Sequence, residues 1–350
     1  MPLYSLGSNS SYQLSLRHAN DVSTPTLTSL SLPPDEYPVK IAAGSNHTLL
    51  STNKGSLYTT GTNKYGQCLR PPCDVISGFT EVDGKWKDCA ATWEGSLTLN
   101  ENGSVRSFGR IRSHRNLAGK GLDEHQESVG NISNGEEEGL ECNSDLDGIK
   151  GRVPRMAIAH VEGGVQHFVV FGKDGAFCYG DGRKGQFGVT TNATEPVKIP
   201  AEDVIQVTCG KDFTCILSPN NTLAVYTTST KHNLLSVPNC TDIKSIAASW
   251  STIAILHRSG NITSWGRSDR GQLPPPNLPP IAQLAAGSEH FIALSETNQV
   301  YAWGWNEHGN CGLDTLEDVT YVHELVFPED ETPMYVAAGC GTSWIWTRKV

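Results

Sequence analysis

Apolar and polar positions alternate in short runs along this chain, and one run recurs. It consists of a few apolar residues, a small residue, two variable residues, a fourth residue that is often histidine, and a second apolar run. Two copies are unmistakable: Ile41-Ala42-Ala43-Gly44-Ser45-Asn46-His47-Thr48-Leu49-Leu50 and Leu284-Ala285-Ala286-Gly287-Ser288-Glu289-His290-Phe291-Ile292-Ala293-Leu294. Weaker copies centre on Ala91, Gly164 with His167, Gly210 with Phe213, Ser249 with Thr252, and Gly339 with Thr342, which makes seven. Apolar runs this short, bounded by small and polar residues, predict strands.

A second motif follows each first one. It is an alternating strand that ends in an aromatic or small residue and glycine, then a polar turn and Gly-Gln-Leu or a variant. Leu57 to Leu69, Ile262 to Leu273 and Val300 to Gly312 are examples. Between the two motifs stand turn signals such as Asn53-Lys54-Gly55 and Arg258-Ser259-Gly260, which suit hairpins. Each unit therefore reads as strand, turn, strand, with more strand to follow. Small residues such as Ala42, Ala43 and Gly44 would let backbones approach closely where units converge.

The phase of the repeat at its two ends selects the architecture. The sequence starts with a lone second motif, Leu3 to Leu14, and finishes with a lone first motif, Val336 to Trp346. Joined, the halves complete a seventh unit. A ring closed in this way leaves no end unit unpaired, whereas an open solenoid would need caps. The expectation is an all-β fold, a seven-bladed β-propeller closed by strands from both termini, with residues 1–350 as one domain.

Over nearly the whole chain these residues resemble the repeats of the regulator of chromosome condensation family. The resemblance implies a seven-bladed propeller with a shared closing blade. Copies three to five depart from the pattern, as in Lys211-Asp212-Phe213 and Ser249-Trp250-Ser251-Thr252, so the blade borders there stay open. The repeat also stops between Arg112 and Gly151. Residues 113–150 read as an acidic, disordered loop insertion, with a regulated acidic docking tail as the alternative.

Charge narrows the function. The formal net charge is −10, and no basic arm is present, so direct nucleic-acid binding is not expected. No apolar run is long enough to span a membrane. Ten cysteines are scattered without a Cys-x-x-Cys pair, and Met1-Pro2-Leu3-Tyr4 does not begin a secretory signal. These features predict an intracellular protein with reduced thiols, in the cytoplasm and as a second compartment the nucleus.

Candidate chemistry is sparse. Cys311, Cys340, His308, His290 and Glu307 are the residue types of a nucleophilic site, but their spacing fits no nucleophile motif, and no catalytic residue is assigned. His308 and Cys311 form one weak His-x-x-Cys pair, so neither metal nor cofactor is expected. His47, His167 and His290 recur at one repeat position and read as structural, each bonding a neighbouring blade. Tryptophan is more informative. Trp303 matches Trp265 and Tyr58 and reads as core, whereas Trp305 stands where other copies carry Ser8, Thr62 and Arg267. A large aromatic at a water-tolerant position suggests an interface anchor. The partner-binding candidates are Trp305 with Glu307 and His308, followed by Trp93, Trp250 and Trp344 in or beside the first-motif loops.

Within the family, Val300 to Gly312, Gly339 to Ile345 and Gly266-Arg267 to Pro274 look like the fungal alpha-tubulin suppressor, or killer-toxin-insensitivity, group. That resemblance implies a heterodimer with a small CSL-type zinc finger protein that donates electrons. It further implies a non-enzymatic accessory role in diphthamide synthesis on elongation factor 2 and in Elongator-dependent modification of transfer-RNA wobble uridines. Elongator and the diphthamide enzymes would be indirect partners. The segment 113–150 departs from the group. The rival reading from the wider family is a guanine-nucleotide exchange factor for a small GTPase.

Overall fold

The apolar runs on either side of the small residue pair as neighbouring antiparallel strands, Ile41 opposite Leu50 in one copy and Leu284 opposite Ala293 in another. The second motif supplies a third strand, as Thr48 opposite Thr60 shows. These relations come from a computed structural model that describes residues 2–111, 130–132 and 158–350. Seven such sheets form the blades of a propeller. In chain order, the innermost strands of blades 1 to 6 are Pro38–Ala43, Trp86–Ala91, Ile158–Gly163, Gln206–Cys209, Ile243–Ala248 and Ile281–Ala286.

Blade 7 is built from both ends of the sequence. Glu331–Gly339 and Thr342–Lys349 form its inner half, while Leu3–Gly7 and Val22–Leu27 form its outer half. Leu3 lies opposite Trp346 and Gly7 opposite Thr342, so the two lone half-motifs are joined as the phase of the repeat predicted.

Blades 4 and 5 have three strands each. After the third strand of blade 5 the chain runs through Pro274, Pro275, Pro276, Pro279 and Pro280, which have no N–H to offer a ladder. Within the segment 113–150, Gly130–Ile132 is described and is a strand. It pairs with Val105–Gly109, Asn131 opposite Arg106, and completes blade 2. That strand is not part of a featureless loop; the rest of the segment lies outside the described residues.

The seams between blades explain the repeated motifs. His47 Nε2 lies 2.9 Å from Ser96 Oγ on blade 2, and that hydroxyl donates to the Gln67 carbonyl at 2.7 Å. A serine hydroxyl has one proton, so the imidazole must be the donor to it. His290 repeats the arrangement with Ser343 on blade 7 and the Asn310 carbonyl, and His167 faces Thr214 on blade 4 at 3.0 Å. One hydroxyl thus ties both motifs of a blade to the next blade. Burial pushes all three imidazoles down to about 4. The ring also explains the small residue: a Cβ on Gly287 would stand 2.1 Å from His290 Cε1.

Nearer the axis a second ladder joins neighbouring innermost strands. Gln206 exchanges two bonds with the backbone of Ile246, Gln283 does the same with Val336, and the Tyr335 hydroxyl accepts from Ile41 N–H. Asp88, at the same repeat position, accepts from Val161 N–H and holds Lys40 at 3.0 Å. Such bonds each contribute about 0.5–1.5 kcal/mol net. Around them the apolar core lies between blades, where Trp303 stacks on Phe291 with centroids 5.7 Å apart.

Candidate functional site

Strands alternate in direction within a blade, so the loop after the first strand and the turn after the third open on the same face. On this face the first-motif loops are laced together through their backbones. Trp93 N–H donates to Val165 carbonyl at 2.9 Å, and Ser45 donates through N–H and Oγ to Trp93 carbonyl. Trp250 N–H donates to Ser288 carbonyl at 2.8 Å, and Trp250 carbonyl accepts from Lys211 N–H. Each tryptophan is therefore fixed to the blade before it and the blade after it.

Trp93 and Trp250 occupy one repeat position, on blades 2 and 5. Their rings meet at 5.5 Å across the mouth of the central channel, a cavity of about 250 Å³ walled by small residues of all seven blades. Trp93 remains 38% exposed. The Lys211 ammonium lies 5.9 Å from the Trp250 ring centroid, within cation–π range. Trp93 also borders a second cavity of about 410 Å³, with Tyr12, Lys64, Tyr65 and Asp74 on its wall. The sequence placed both residues in first-motif loops; the structure brings them into contact.

Trp305 and His308 form a second cluster on the same face. Their rings pack edge to face at 5.3 Å, and the Trp305 ring approaches Gly341 of blade 7. His308 Nδ1 lies 2.7 Å from an Asp21 carboxylate oxygen, which ties this turn to blade 7. Glu307 accepts from Arg270 at 2.5 Å, which ties it to blade 5. The Arg270 guanidinium holds the Glu307 carboxyl below its usual range. Trp305 is half-buried and Glu307 exposed, so an aromatic plane and a carboxylate are presented from a turn braced on both sides.

Trp344 must be removed from the surface. It is fully buried, packs against Phe79, and directs its indole N–H to Thr342 Oγ1. It stands two residues past the histidine-equivalent Thr342, in register with Leu49, Leu97, Val169 and Ile292, all of them buried. Trp93 and Trp250 stand two residues before that position, in the loop itself.

The residue types of a nucleophilic site do not gather. His290 faces Ser343 inside a seam, and burial pushes the Cys340 thiol up to about 11 and the Cys311 thiol well above its ordinary value. Thiols at such values stay protonated near neutrality and are poor nucleophiles. The nine described cysteines are all free. Among the described residues, no group of three or more His, Cys, Asp or Glu is placed to hold a metal ion. No helix among them is long and apolar enough to cross a membrane.

The regulator of chromosome condensation (RCC1) repeat matches residues 2–51, 173–217 and 297–345 in one form, and 39–67, 243–272 and 281–310 in another. An RCC1 repeat-containing protein of Schizosaccharomyces pombe is 30% identical over 98% of both chains. The chain belongs to the RCC1 repeat family. A secretion-regulating guanine nucleotide exchange factor of Bos taurus is 26% identical over 91% of this chain and 77% of its own length. Among solved structures, Prp20p of Saccharomyces cerevisiae superposes with a TM-score of 0.82 at 20% identity, covering 100% of this chain and 92% of that one. Human WBSCR16 superposes with a TM-score of 0.76 at 20% identity, with full coverage of both. At these identities the likeness of this RCC1-repeat chain to the solved structures concerns the fold alone.

Proposed function

We propose that this RCC1-repeat propeller is a non-catalytic interaction protein. Its aromatic face binds a small CSL-type zinc finger electron-transfer protein as a heterodimer. Through that partner it supports diphthamide synthesis on elongation factor 2 and Elongator-dependent modification of wobble uridines, in the cytoplasm and also the nucleus. The observation that carries the reading is the preorganised pair Trp93–Trp250, with Trp305 on the same face. Aromatic side chains held rigid before binding lose little freedom on association, which is the usual character of interface anchors. The partner's identity rests on the resemblance of the segments around Trp303-Gly304-Trp305 and Gly339 to Ile345 to the killer-toxin-insensitivity group.

The test is titration calorimetry of the full chain with a purified CSL-type zinc finger protein. The wild type is expected to bind one to one, and Trp93→Ala with Trp250→Ala to weaken binding about thirtyfold or more. No heat of binding with the wild type would remove this partner.

The second reading, nucleotide exchange on a small GTPase, is favoured by the similarity to the Bos taurus exchange factor and to Prp20p, whose structure is described together with its binding to Gsp1p and histones. Acceleration of GDP release from a small GTPase by the chain would support it over the first.

A further inference from the structure

Between Arg270 and Arg348 the chain contains no Lys or Arg and ten Asp or Glu, while the rest of the sequence balances at 27 acidic and 27 basic residues. The whole formal net charge therefore lies in residues 271–347, which cover the Pro-rich segment, blade 6 and the inner half of blade 7 short of Arg348. Within that stretch, residues 313–330 run along the outer side of blade 6. Val319 exchanges two backbone bonds with Gly304, Ala302 N–H donates to the His323 carbonyl, and Leu325 pairs with Val300.

This bonding turns Val319 and Leu325 into the core and leaves the intervening apolar residues outside. Leu316 is 58% exposed, Tyr321 53% and Val326 83%, with Val322 beside them. The Pro-rich segment's Leu273, also exposed, follows a turn whose Gly271 lies against Thr320. Asp314, Glu317 and Glu329 have no ion-pair or hydrogen-bond partner among the described residues. Apolar area concentrated on one short exposed segment is the character of an interaction surface.

We infer that the outer side of blade 6, residues 313–330, is a docking strip for a Lys/Arg-rich amphipathic segment of a protein partner. Its apolar face lies on Leu316, Tyr321 and Val326, and its cations meet the unpaired carboxylates. Charge complementarity selects this occupant: an anionic lipid surface or a nucleic acid would be repelled by a strip of six carboxylates that, among the described residues, only Arg270 at Asp318 and Lys349 at Asp330 neutralise in part. The strip starts beside the Trp305 turn, where Asn306 bonds Thr315 and Asp318, but follows the outermost strand of blade 6, apart from the Trp93–Trp250 pair, and would serve a different partner.

The probe is a fluorescein-labelled helical peptide with Leu on one face and Lys on the other, carrying a benzophenone group and titrated into the full chain by anisotropy. Binding should weaken with salt, and cross-links should map to residues 313–330. Leu316→Ser with Tyr321→Ser and Val326→Ser should lower affinity about tenfold or more, because these are exposed anchors whose loss leaves the melting temperature in place. Asp314→Asn with Glu317→Gln should lower affinity and flatten the salt dependence. Unchanged affinity in either folded variant, equal binding of a charge-reversed Glu peptide, or cross-links elsewhere would overturn the inference. Loss of peptide binding in the Trp93→Ala, Trp250→Ala protein alone would place the peptide on the aromatic face, which removes the strip but leaves the proposed function standing.

Discussion

The seams between blades and the rim above them use the same residue types, histidine and tryptophan, for opposite purposes. In the seams, His290 and Trp303 are out of water and bonded, the first to Ser343 Oγ and the second to the Gln272 carbonyl. On the rim, His308 and Trp305 pack on each other and remain partly in water, although Trp305 is only two residues from Trp303. Blade 6 thus carries both versions, the seam pair on its second and third strands and the rim pair in the turn after the third. What differs is whether the residue sits on the strand or after the glycine that ends it. Residue type by itself does not assign a role here.

The largest effect that separates seam from rim should come from opening the ring. Deleting residues 2–27 removes the outer half of blade 7 and should cost much of a typical domain stability of about 5–15 kcal/mol. Thermal unfolding would then lose its cooperative transition. A deleted chain that melts at the wild-type temperature would mean that the seams hold without closure.

Next in size is the pair of adjacent tryptophans. Trp303→Ala should cost about 3–5 kcal/mol of stability, as a large aromatic leaves a cavity. Trp305→Ala should change stability by less than about 1 kcal/mol and instead weaken the partner about thirtyfold. Equal losses of stability in the two variants would erase the distinction.

The imidazoles give a pH signature. Their pKa in the folded protein, about 4, lies below the ordinary histidine value of 6.5. The unfolded chain therefore takes up the proton first, so stability is full above pH 6.5 and falls as pH drops toward about 4. Each such group contributes on the order of 3 kcal/mol across that window. Blade 4 already carries Phe213 at this position, so His290→Phe should fold and show a shallower acid slope in chemical denaturation. An unchanged slope would mean that His290 takes up its proton as readily in the native seam as in the unfolded chain.

The smallest effect is expected on the rim. Trp93→Ala should leave the melting temperature within about 2–4 °C while lowering partner affinity, since the bonds at this position are made by its backbone. A larger shift would make the aromatic pair a clamp on the channel mouth rather than an anchor.

Much of this was legible in the sequence because the repeat carries its own register. The half-motifs at the two ends foretold the closing blade, and the recurrence of His47, His167 and His290 foretold a structural seam. The hydroxyl partner could also have been found. Each of these histidines is answered one repeat later by Ser96, Thr214 or Ser343, whereas Phe213 is answered by Ile253. Trp344 lies beside a loop in sequence but in the core by register: two residues beyond the histidine position, every copy points inward. The strand Gly130–Ile132 is too short and too polar to show a period. The meeting of Trp93 with Trp250 joins blades three apart, and no local pattern encodes that.

Closure by strands so distant in sequence also sets the order in which the molecule can be made. Leu3–Gly7 is synthesised long before its partner Thr342–Lys349, with six blades between the two. Until then its backbone donors and acceptors have no blade to enter, and the growing chain presents an open sheet edge to its neighbours. Such long-range pairing is slow to form because a large loop must close before any bond compensates. A circular permutant cut at the Asn53-Lys54-Gly55 turn would make blade 7 local. It should refold faster and aggregate less during synthesis, with the cost of late closure passed to blade 1.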